Sequence, residues 1–247
     1  MTSRAESAPD RAPRARSIAE LDDLIVECRA CPRLVAWREE VARIKRASFR
    51  DQTYWGRAVP GLGPADAGIL VVGLAPAAHG ANRTGRMFTG DRSGDFLFAA
   101  MHAVGLATQA HAVSADDGLE LIGTRITSPV HCAPPANKPT TVERQTCAPY
   151  LHRELELLAP TLRVAVVLGG FGWQALLASL TDGGWTIPRP RPKFGHGARF
   201  TVAHPDGRRL TVLGCFHVSQ QNTFTGRLTP AMLESVLREA KEIVRTR

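Results

Sequence analysis

Five cysteines in a chain of 247 residues are the side chains with the plainest chemistry. Cys28 and Cys31 enclose two residues, a spacing at which two thiolates can reach one metal centre. Cys132 and Cys147 lie farther apart than the cysteines of a compact zinc knuckle, so the two pairs would have to meet in the folded chain. Thiolates suit a zinc ion or an iron–sulfur cluster, and unligated thiols are the third possibility that the spacing leaves open. Cys215 stands in an apolar run and is interpreted as a small core residue.

A second set of candidate groups follows the apolar run Ile69–Val72, which is typical of a strand buried on both faces. The segment from there to Asp91 contains small residues for close approach to a ligand, together with polar and aromatic side chains. Ligands of open α/β sheets bind where strands end, because loops there can surround a pocket. We therefore predict a binding loop; an ordinary long surface loop is the alternative.

Two more polar segments follow predicted strands. His131–Pro139 comes after a strand predicted around Arg125–Val130, and Phe216–Asn222 comes after one predicted over Leu210–Cys215. Because the carboxyl ends of parallel strands share one edge of a sheet, the three loops are expected to meet at that edge.

Strand patterns alternate with helical patterns along the rest of the chain, an order that favours a three-layer α/β/α fold with a mainly parallel sheet. Another strand is predicted over Arg163–Leu168, and Phe200–Ala203 forms a hairpin-like pair with the strand that ends at Cys215. The predicted helix caps are Ser17, Ser93, Thr141 and Thr229.

Charge and composition set broad limits on the function. The net charge of +8 and the isoelectric point near 9.8 favour polyanionic partners such as nucleic acid. No apolar run reaches the roughly 18 residues that span a bilayer, and no secretory leader is recognisable, so we expect a cytoplasmic, reducing environment. Residues 1–16 lack periodicity and are expected to form a disordered basic tail before a single domain of residues 17–247.

Four motifs occur in one order along the chain: Cys28-x2-Cys31-Pro, the loop from Gly73 to Asp91, Cys132–Pro139, and His217–Thr223. Together they closely resemble the family 5 uracil-DNA glycosylases, and the resemblance spans about residues 20–245. It implies a four-stranded parallel sheet flanked by helices and the removal of deaminated bases from DNA without a catalytic metal. It also implies a structural [4Fe-4S] cluster whose ligands are Cys28, Cys31, Cys132 and Cys147.

Excision of a base builds positive charge on the sugar and negative charge on the departing base. The resemblance implies that His217 donates a hydrogen bond to the base oxygen, and that Asp91 and Asn137 hold the attacking water and face the sugar cation. The alternatives for the three residues are a His that closes a strand end, a helix-capping Asp and a turn Asn. A base flipped out of the duplex also needs a pocket that stacks on it and reads its edge. The residues expected to line this pocket are Gly73, Ala75, Ala77, Phe88 and Ser128.

The same loops bear on the range of substrates. Ala77 and Ala78 stand where other glycosylase families have a polar, water-activating group, which is normal for family 5 and leaves His79 as an alternative base. Ser128 stands where family 4 enzymes have an Asn that reads the uracil edge, and a hydroxyl enforces one edge pattern less strictly than an amide. We therefore expect uracil, hypoxanthine and some enlarged pyrimidine lesions to be accepted.

The expected partner is double- or single-stranded DNA with damaged bases, bound by a monomer associated with the nucleoid. A polar run should fill the gap that the flipped base leaves, and arginines should hold phosphates. The run is Gln220, Gln221 and Asn222, and the arginines are Arg83, Arg86 and Arg227.

Two other functions fit parts of the pattern. A non-enzymatic nucleic-acid-binding module with a structural metal would need the cysteines and the basic charge but no catalytic groups. A cysteine hydrolase would use Cys215 and His217, which share one face of a strand. For the hydrolase, no acidic partner and no group that lowers the thiol pKa is evident in the sequence.

Overall fold

Strands that alternate with helices form the framework of the protein, and a computed structural model describes residues 6–246. The strands are β1 (Ile69–Val72), β2 (Thr124–Thr127), β3 (Val164–Leu168), β4 (Arg199–Ala203) and β5 (Arg209–Cys215). The helices are α1 (Ala8–Arg11), α2 (Ile18–Val26), α3 (Pro32–Ile44), α4 (Ala81–Thr84), α5 (Arg92–Ala103), α6 (Thr141–Leu158), α7 (Gly170–Asp182), α8 (Gln220–Phe224) and α9 (Pro230–Arg245). Short 3-10 turns span Ala12–Arg14, Ala47–Phe49 and Pro135–Asn137.

The sheet has five strands in the order β2-β1-β3-β5-β4. Ile69 of β1 is in parallel register with Thr124 of β2 and Val164 of β3, and β3 also pairs in parallel with β5. This confirms the mainly parallel α/β fold. The expected four-stranded sheet is one strand short, because β4 adds to the edge antiparallel to β5 as the second arm of the hairpin.

Helices cover both faces of the sheet, which explains why β1 and β3 are apolar along their whole length. On one face, Val71 and Val166 pack in a core with Leu237 of α9. On the other face, Leu70 and Ala165 pack with side chains of α6 and α7. The strand ends are therefore the part of the sheet that is left for a site. None of the helices in the described part of the chain is long and apolar enough to cross a membrane.

The N-terminal segment differs from the expected disordered tail. Residues 1–5 lie outside the described residues, but the following segment forms α1 and a 3-10 turn. Ala12 and Ala15 are buried in a cluster with Tyr150 of α6. The prediction is therefore wrong for residues 6–16, because small alanine side chains can pack against neighbouring helices without the periodicity that reveals a longer helix.

Helix ends follow the predicted caps with two shifts. Ser17 and Thr229 cap α2 and α9 as predicted. α6 is capped one residue earlier than predicted, by Thr140, and α5 is capped by Asp91 rather than by Ser93. The second shift matters because Asp91 is also a predicted catalytic residue.

A buried ion network joins β2 to the helices. Arg125 of β2 donates hydrogen bonds to Glu154 of α6 (2.5 Å) and Asp22 of α2 (2.7 Å).

We expect Arg125→Met to lower the free energy of unfolding by about 3–5 kcal/mol, because two carboxylates then lose their buried counter-ion. The matched control is Arg43→Met, which breaks the exposed pair with Glu40 and should lower it by less than about 1 kcal/mol. Urea unfolding measures both losses, and equal values would contradict a stabilising role for the network.

Candidate functional site

The ends of β1 and β5 bring together Gly73, Phe88 and His217, which form what we call the ring cleft. A methyl group at Gly73 would stand 3.0 Å from the Phe88 ring, so the ring lies against the end of β1. The Phe88 and His217 ring centroids are 6.4 Å apart and their planes are inclined by 36°. Phe88 has a left-handed backbone (φ 53°), a strained conformation for a bulky residue and one that clusters at functional sites.

His217 is held through its backbone and kept neutral by burial. The side-chain amide of Asn222 donates to the His217 carbonyl (2.8 Å), and a methyl group at Gly169 would contact His217 Cβ at 3.2 Å. Burial lowers the pKa of His217 to about 4. Near pH 7 the imidazole is therefore neutral and has one N–H to donate, which suits it to stabilise negative charge that develops on a bound group.

Asp91 has a structural role beside the predicted chemical one. Its Oδ1 accepts the backbone N–H of Gly94 (3.0 Å) and so caps α5. A side chain at Gly80 would overlap Oδ2, so the loop backbone packs directly against the carboxylate. Burial raises the pKa of Asp91. The carboxylate is thus fixed in direction and poorly solvated, three residues after Phe88 on the same loop.

Asn137 is not joined to the other predicted catalytic groups. It ends the 3-10 turn after Cys132 in a left-handed conformation (φ 54°), and its side chain is exposed. In the described part of the chain, no hydrogen bond links this side chain to Asp91 or His217.

Ser128 follows β2, the strand that pairs with β1. It is almost fully buried, and its hydroxyl donates to the carbonyl of Val130 (2.9 Å). The hydroxyl therefore retains only lone pairs for a ligand. Ala75 and Ala77 are half-buried on the loop after β1, and Ala75 packs against the buried cluster that includes Cys28, Cys132 and Cys147.

His79, the alternative base, is engaged elsewhere. Its Nδ1 lies 3.0 Å from the Tyr54 hydroxyl, and the two rings meet edge to face. Burial also lowers the pKa of His79. These contacts favour Asp91 over His79 as the group that acts on water.

The thiols of Cys28, Cys31, Cys132 and Cys147 line one enclosed, mainly apolar cavity. Among the described residues, no set of three or more His, Cys, Asp or Glu side chains stands in metal-binding geometry. Burial raises the pKa of Cys31 and Cys132 to about 11, so these thiols need a bound cation to ionise near pH 7. Four sulfur donors around one cavity suit zinc or an iron–sulfur cluster. The residues present therefore fit the expected cluster.

Arg38, which the sequence-based predictions missed, supports that fit. Its guanidinium is 1% exposed and donates to Cys132 Sγ and to the Cys28 carbonyl, both at 2.9 Å. It forms no ion pair with a described carboxylate, although a buried cation needs nearby negative charge, which metal-bound thiolates would supply. The available signal was its place on the apolar face of α3 with Val35 and Val41.

Cys215 is separate from the four cavity thiols. It is fully buried at the end of β5 in the core that includes α5 and α9, which agrees with its interpretation as a core residue. Burial raises the pKa of Cys215 to about 12. A thiol that stays protonated is a poor nucleophile, so the structure gives no support to a cysteine hydrolase.

The prediction that three arginines hold phosphates is wrong for two of them. Arg83 donates to the carbonyl of Gly90 (2.7 Å), and Arg86 forms an ion pair with Asp117 (2.7 Å). Both guanidinium groups are buried, and their contacts fix the loop before α5. Because these contacts hold both guanidinium groups within the fold, neither group is available to a ligand.

The other predicted DNA contacts lie on the surface beside the ring cleft. Arg227 is exposed, with its guanidinium 4.6 Å from the centre of the Phe216 ring. Gln220 and Gln221 are exposed on α8, whereas Asn222 is partly buried and its amide is tied to the loop before α8. Only the two glutamines of the polar run are thus free to enter DNA.

An exposed aromatic residue at the end of α8 was also missed. Phe224 is 67% exposed, and the guanidinium of Arg92 lies 5.3 Å from its ring centre. Its signal in the sequence was an aromatic residue directly after a polar run.

Comparison with known proteins agrees with the motifs. A family model described as the uracil DNA glycosylase superfamily matches residues 60–241. The chain is 56% identical to the type-5 uracil-DNA glycosylase of Mycobacterium tuberculosis, over 93% of this chain and 82% of that protein. It is 50% identical to the type-5 enzyme of Thermus thermophilus, over 89% of this chain and 94% of that one. For the type-5 enzyme of Pyrobaculum aerophilum the identity is 45%, over 87% and 88%.

Proposed function

Because the chain belongs to the uracil-DNA glycosylase superfamily, and within it to the type-5 uracil-DNA glycosylases, we propose that it removes uracil from DNA. The reaction is hydrolysis of the N-glycosidic bond, which leaves an abasic site in an unbroken strand. The chief support from this chain is the ring cleft, in which Phe88 lies against the end of β1 and a neutral His217 follows the end of β5, with the two ring centres 6.4 Å apart.

The base must leave the duplex before it reacts, because the stacked helix hides its glycosidic bond. In the ring cleft, Phe88 offers a flat apolar surface on which the flipped base stacks. His217 then donates a hydrogen bond to the uracil oxygen that gains negative charge as the bond breaks. The lowered pKa of His217 keeps the ring neutral, so it stabilises the departing base without first competing for a proton.

Asp91 acts on the positive partner of the same bond cleavage. Its ionised carboxylate stabilises the cationic sugar and orients the attacking water. Asn137 orients that water through its amide once DNA is bound. Because Asp91 also caps α5, its position is fixed before the substrate arrives.

The cavity thiols would hold a [4Fe-4S] cluster, whose bonds to sulfur would supply cross-links rather than chemistry. Cys28 and Cys31 lie between α2 and α3, Cys132 lies in the loop after β2, and Cys147 lies in α6. The loop that contains Cys132 continues to Asn137, so anchoring at the cavity also positions one side of the site.

Incubation with a uracil-containing oligonucleotide, followed by alkali, tests this function. We expect an alkali-labile site at the uracil, and none in an otherwise identical oligonucleotide with thymine at that position. A nucleic-acid-binding module with a structural metal would bind both oligonucleotides and leave both intact. Binding without a labile site would therefore contradict the glycosylase function and support the nucleic-acid-binding module.

We propose further that the pocket accepts hypoxanthine and some enlarged pyrimidine lesions. Since the Ser128 hydroxyl donates its proton to Val130, it offers a bound base only an acceptor. Uracil and hypoxanthine each have a ring N–H beside a carbonyl, and one acceptor satisfies either. Ala77 and Ala78, which are small and half-buried on the loop after β1, leave room for the larger purine.

Ser128→Asn is expected to raise the ratio of uracil to hypoxanthine excision rates by about tenfold or more, because the longer amide side chain occupies space that the larger purine needs and that uracil does not. Single-turnover assays on matched duplexes measure the ratio. The control is Ser114→Asn on an exposed loop, which should leave it unchanged. An unchanged ratio in Ser128→Asn would remove Ser128 as the cause, and undetectable hypoxanthine release by the unmodified enzyme would contradict the open pocket.

A further inference from the structure

A basic groove runs from the start of α7 past the first turn of α6. Its cations are Arg144 of α6 and, in the segment before β4, Arg191 and Lys193. Phe194 contributes aromatic surface, the almost fully buried Trp173 borders the groove from within, and none of the described Asp or Glu side chains lines it. We call this surface the α7 groove.

The three cations of the α7 groove have no anionic partner in the described part of the chain. Arg144 lies over the Phe171 ring, with 5.9 Å from guanidinium carbon to ring centre, and it makes no ion pair. Elsewhere, arginines such as Arg199 form ion pairs with carboxylates. Like charges that share one groove repel each other, so the arrangement is stabilised when an anion binds between them.

The α7 groove adjoins the ring cleft. It begins at Gly170, next to the glycine that packs against His217. Its Phe194 lies 6.3 Å from Phe216, ring centre to ring centre, and Phe216 is the ring beneath exposed Arg227. Positive charge therefore extends from the mouth of the cleft along the side of the domain.

We infer that the α7 groove binds backbone phosphates of the DNA strand on one side of the damaged nucleotide. The inference rests on the proposed glycosylase function, because that function puts a DNA strand at the ring cleft. Guanidinium and ammonium groups bind phosphate oxygens without reading sequence, as a repair enzyme that meets its lesion in any context requires. The groove takes the role that Arg83 and Arg86 cannot fill.

The test is the salt dependence of DNA binding by the triple variant R144Q/R191Q/K193Q. Since each phosphate contact adds about 0.9 to the slope of log K against log salt, loss of all three should lower the slope by about 2.7. The matched control is R163Q/R208Q/R209Q, which removes the same number of cations from a groove at the amino ends of β3 and β5. There Arg208 is already paired with Asp206, and the slope should stay within about 0.5 of the unmodified value.

Shortening the DNA on one side of the uracil locates the contact. Removing the flank that occupies the α7 groove should weaken binding of the unmodified protein but leave binding of the triple variant unaltered. Removing the other flank should weaken both proteins equally. The inference would be overturned if the triple variant kept the salt slope of the unmodified protein. It would also be overturned if removal of either flank weakened DNA binding by the triple variant equally. If the unmodified protein itself bound DNA with no salt dependence, the proposed function would fail instead.

Discussion

His217→Ala and Asp91→Asn are each expected to slow single-turnover excision of uracil by about 30- to 1,000-fold, equivalent to about 2–4 kcal/mol of transition-state stabilisation. The first variant removes the hydrogen bond to the departing base, and the second removes the charge that faces the sugar cation. DNA affinity should change little, because both interactions strengthen only as the bond breaks.

The two substitutions of Asp91 separate its chemical role from its role as a cap. Asn caps helices as well as Asp does, so Asp91→Asn keeps α5 capped, whereas Asp91→Ala loses both the cap and the charge. We expect equal losses of rate in the two variants and a loss of about 1 kcal/mol of stability in the alanine variant alone. Near-normal excision by Asp91→Asn would show that the carboxylate is needed only for structure.

The pH dependence of the excision rate tests the role of Asp91 in a second way. Burial raises the pKa of Asp91, so the fraction of active, ionised enzyme increases as the pH rises through that pKa. The rate of the unmodified enzyme should accordingly fall on the acid side. Asp91→Asn should lack this fall down to about pH 4, the pKa of His217.

If the cavity thiols hold the proposed cluster, the purified protein should be brown with roughly four irons per chain, and Cys28→Ser should abolish the colour and leave far fewer irons. Stability should fall with it, because metal–thiolate bonds contribute to folding when the site is assembled from distant segments. Visible absorbance, iron analysis and urea unfolding measure these losses. Cys215→Ser, in the core at the end of β5, is the control and should keep the colour. A colourless, zinc-containing protein purified without air would contradict the cluster.

The position of the candidate site was predictable from the sequence because its motifs follow strands with a clear apolar pattern. Ile69–Val72 and Val164–Leu168 are apolar throughout, so both had to be covered on two faces. Their carboxyl ends then had to share an edge with the loops that contain Phe88 and His217.

Side-chain direction could not be predicted in the same way. Arg86 and its partner Asp117 are separated by 31 positions, and no local pattern distinguishes such a pair from an arginine that faces a phosphate. Arg38 is the opposite case, because its place on an apolar helix face did indicate a buried charge. Its two partners, Cys28 and Cys132, come from different segments and could not be identified from the sequence. The order of residues 6–16 was hidden because alanine has too little apolar area to give a clear periodicity.

The most direct test of the account is a mass measurement of both products of one turnover, made without alkali. With a duplex that contains one uracil, the account predicts free uracil and an unbroken abasic strand in equal amounts, with His217→Ala forming both far more slowly. Uracil that stays attached to a bound strand, or a strand that breaks before alkali is added, would contradict hydrolysis of the glycosidic bond in the ring cleft.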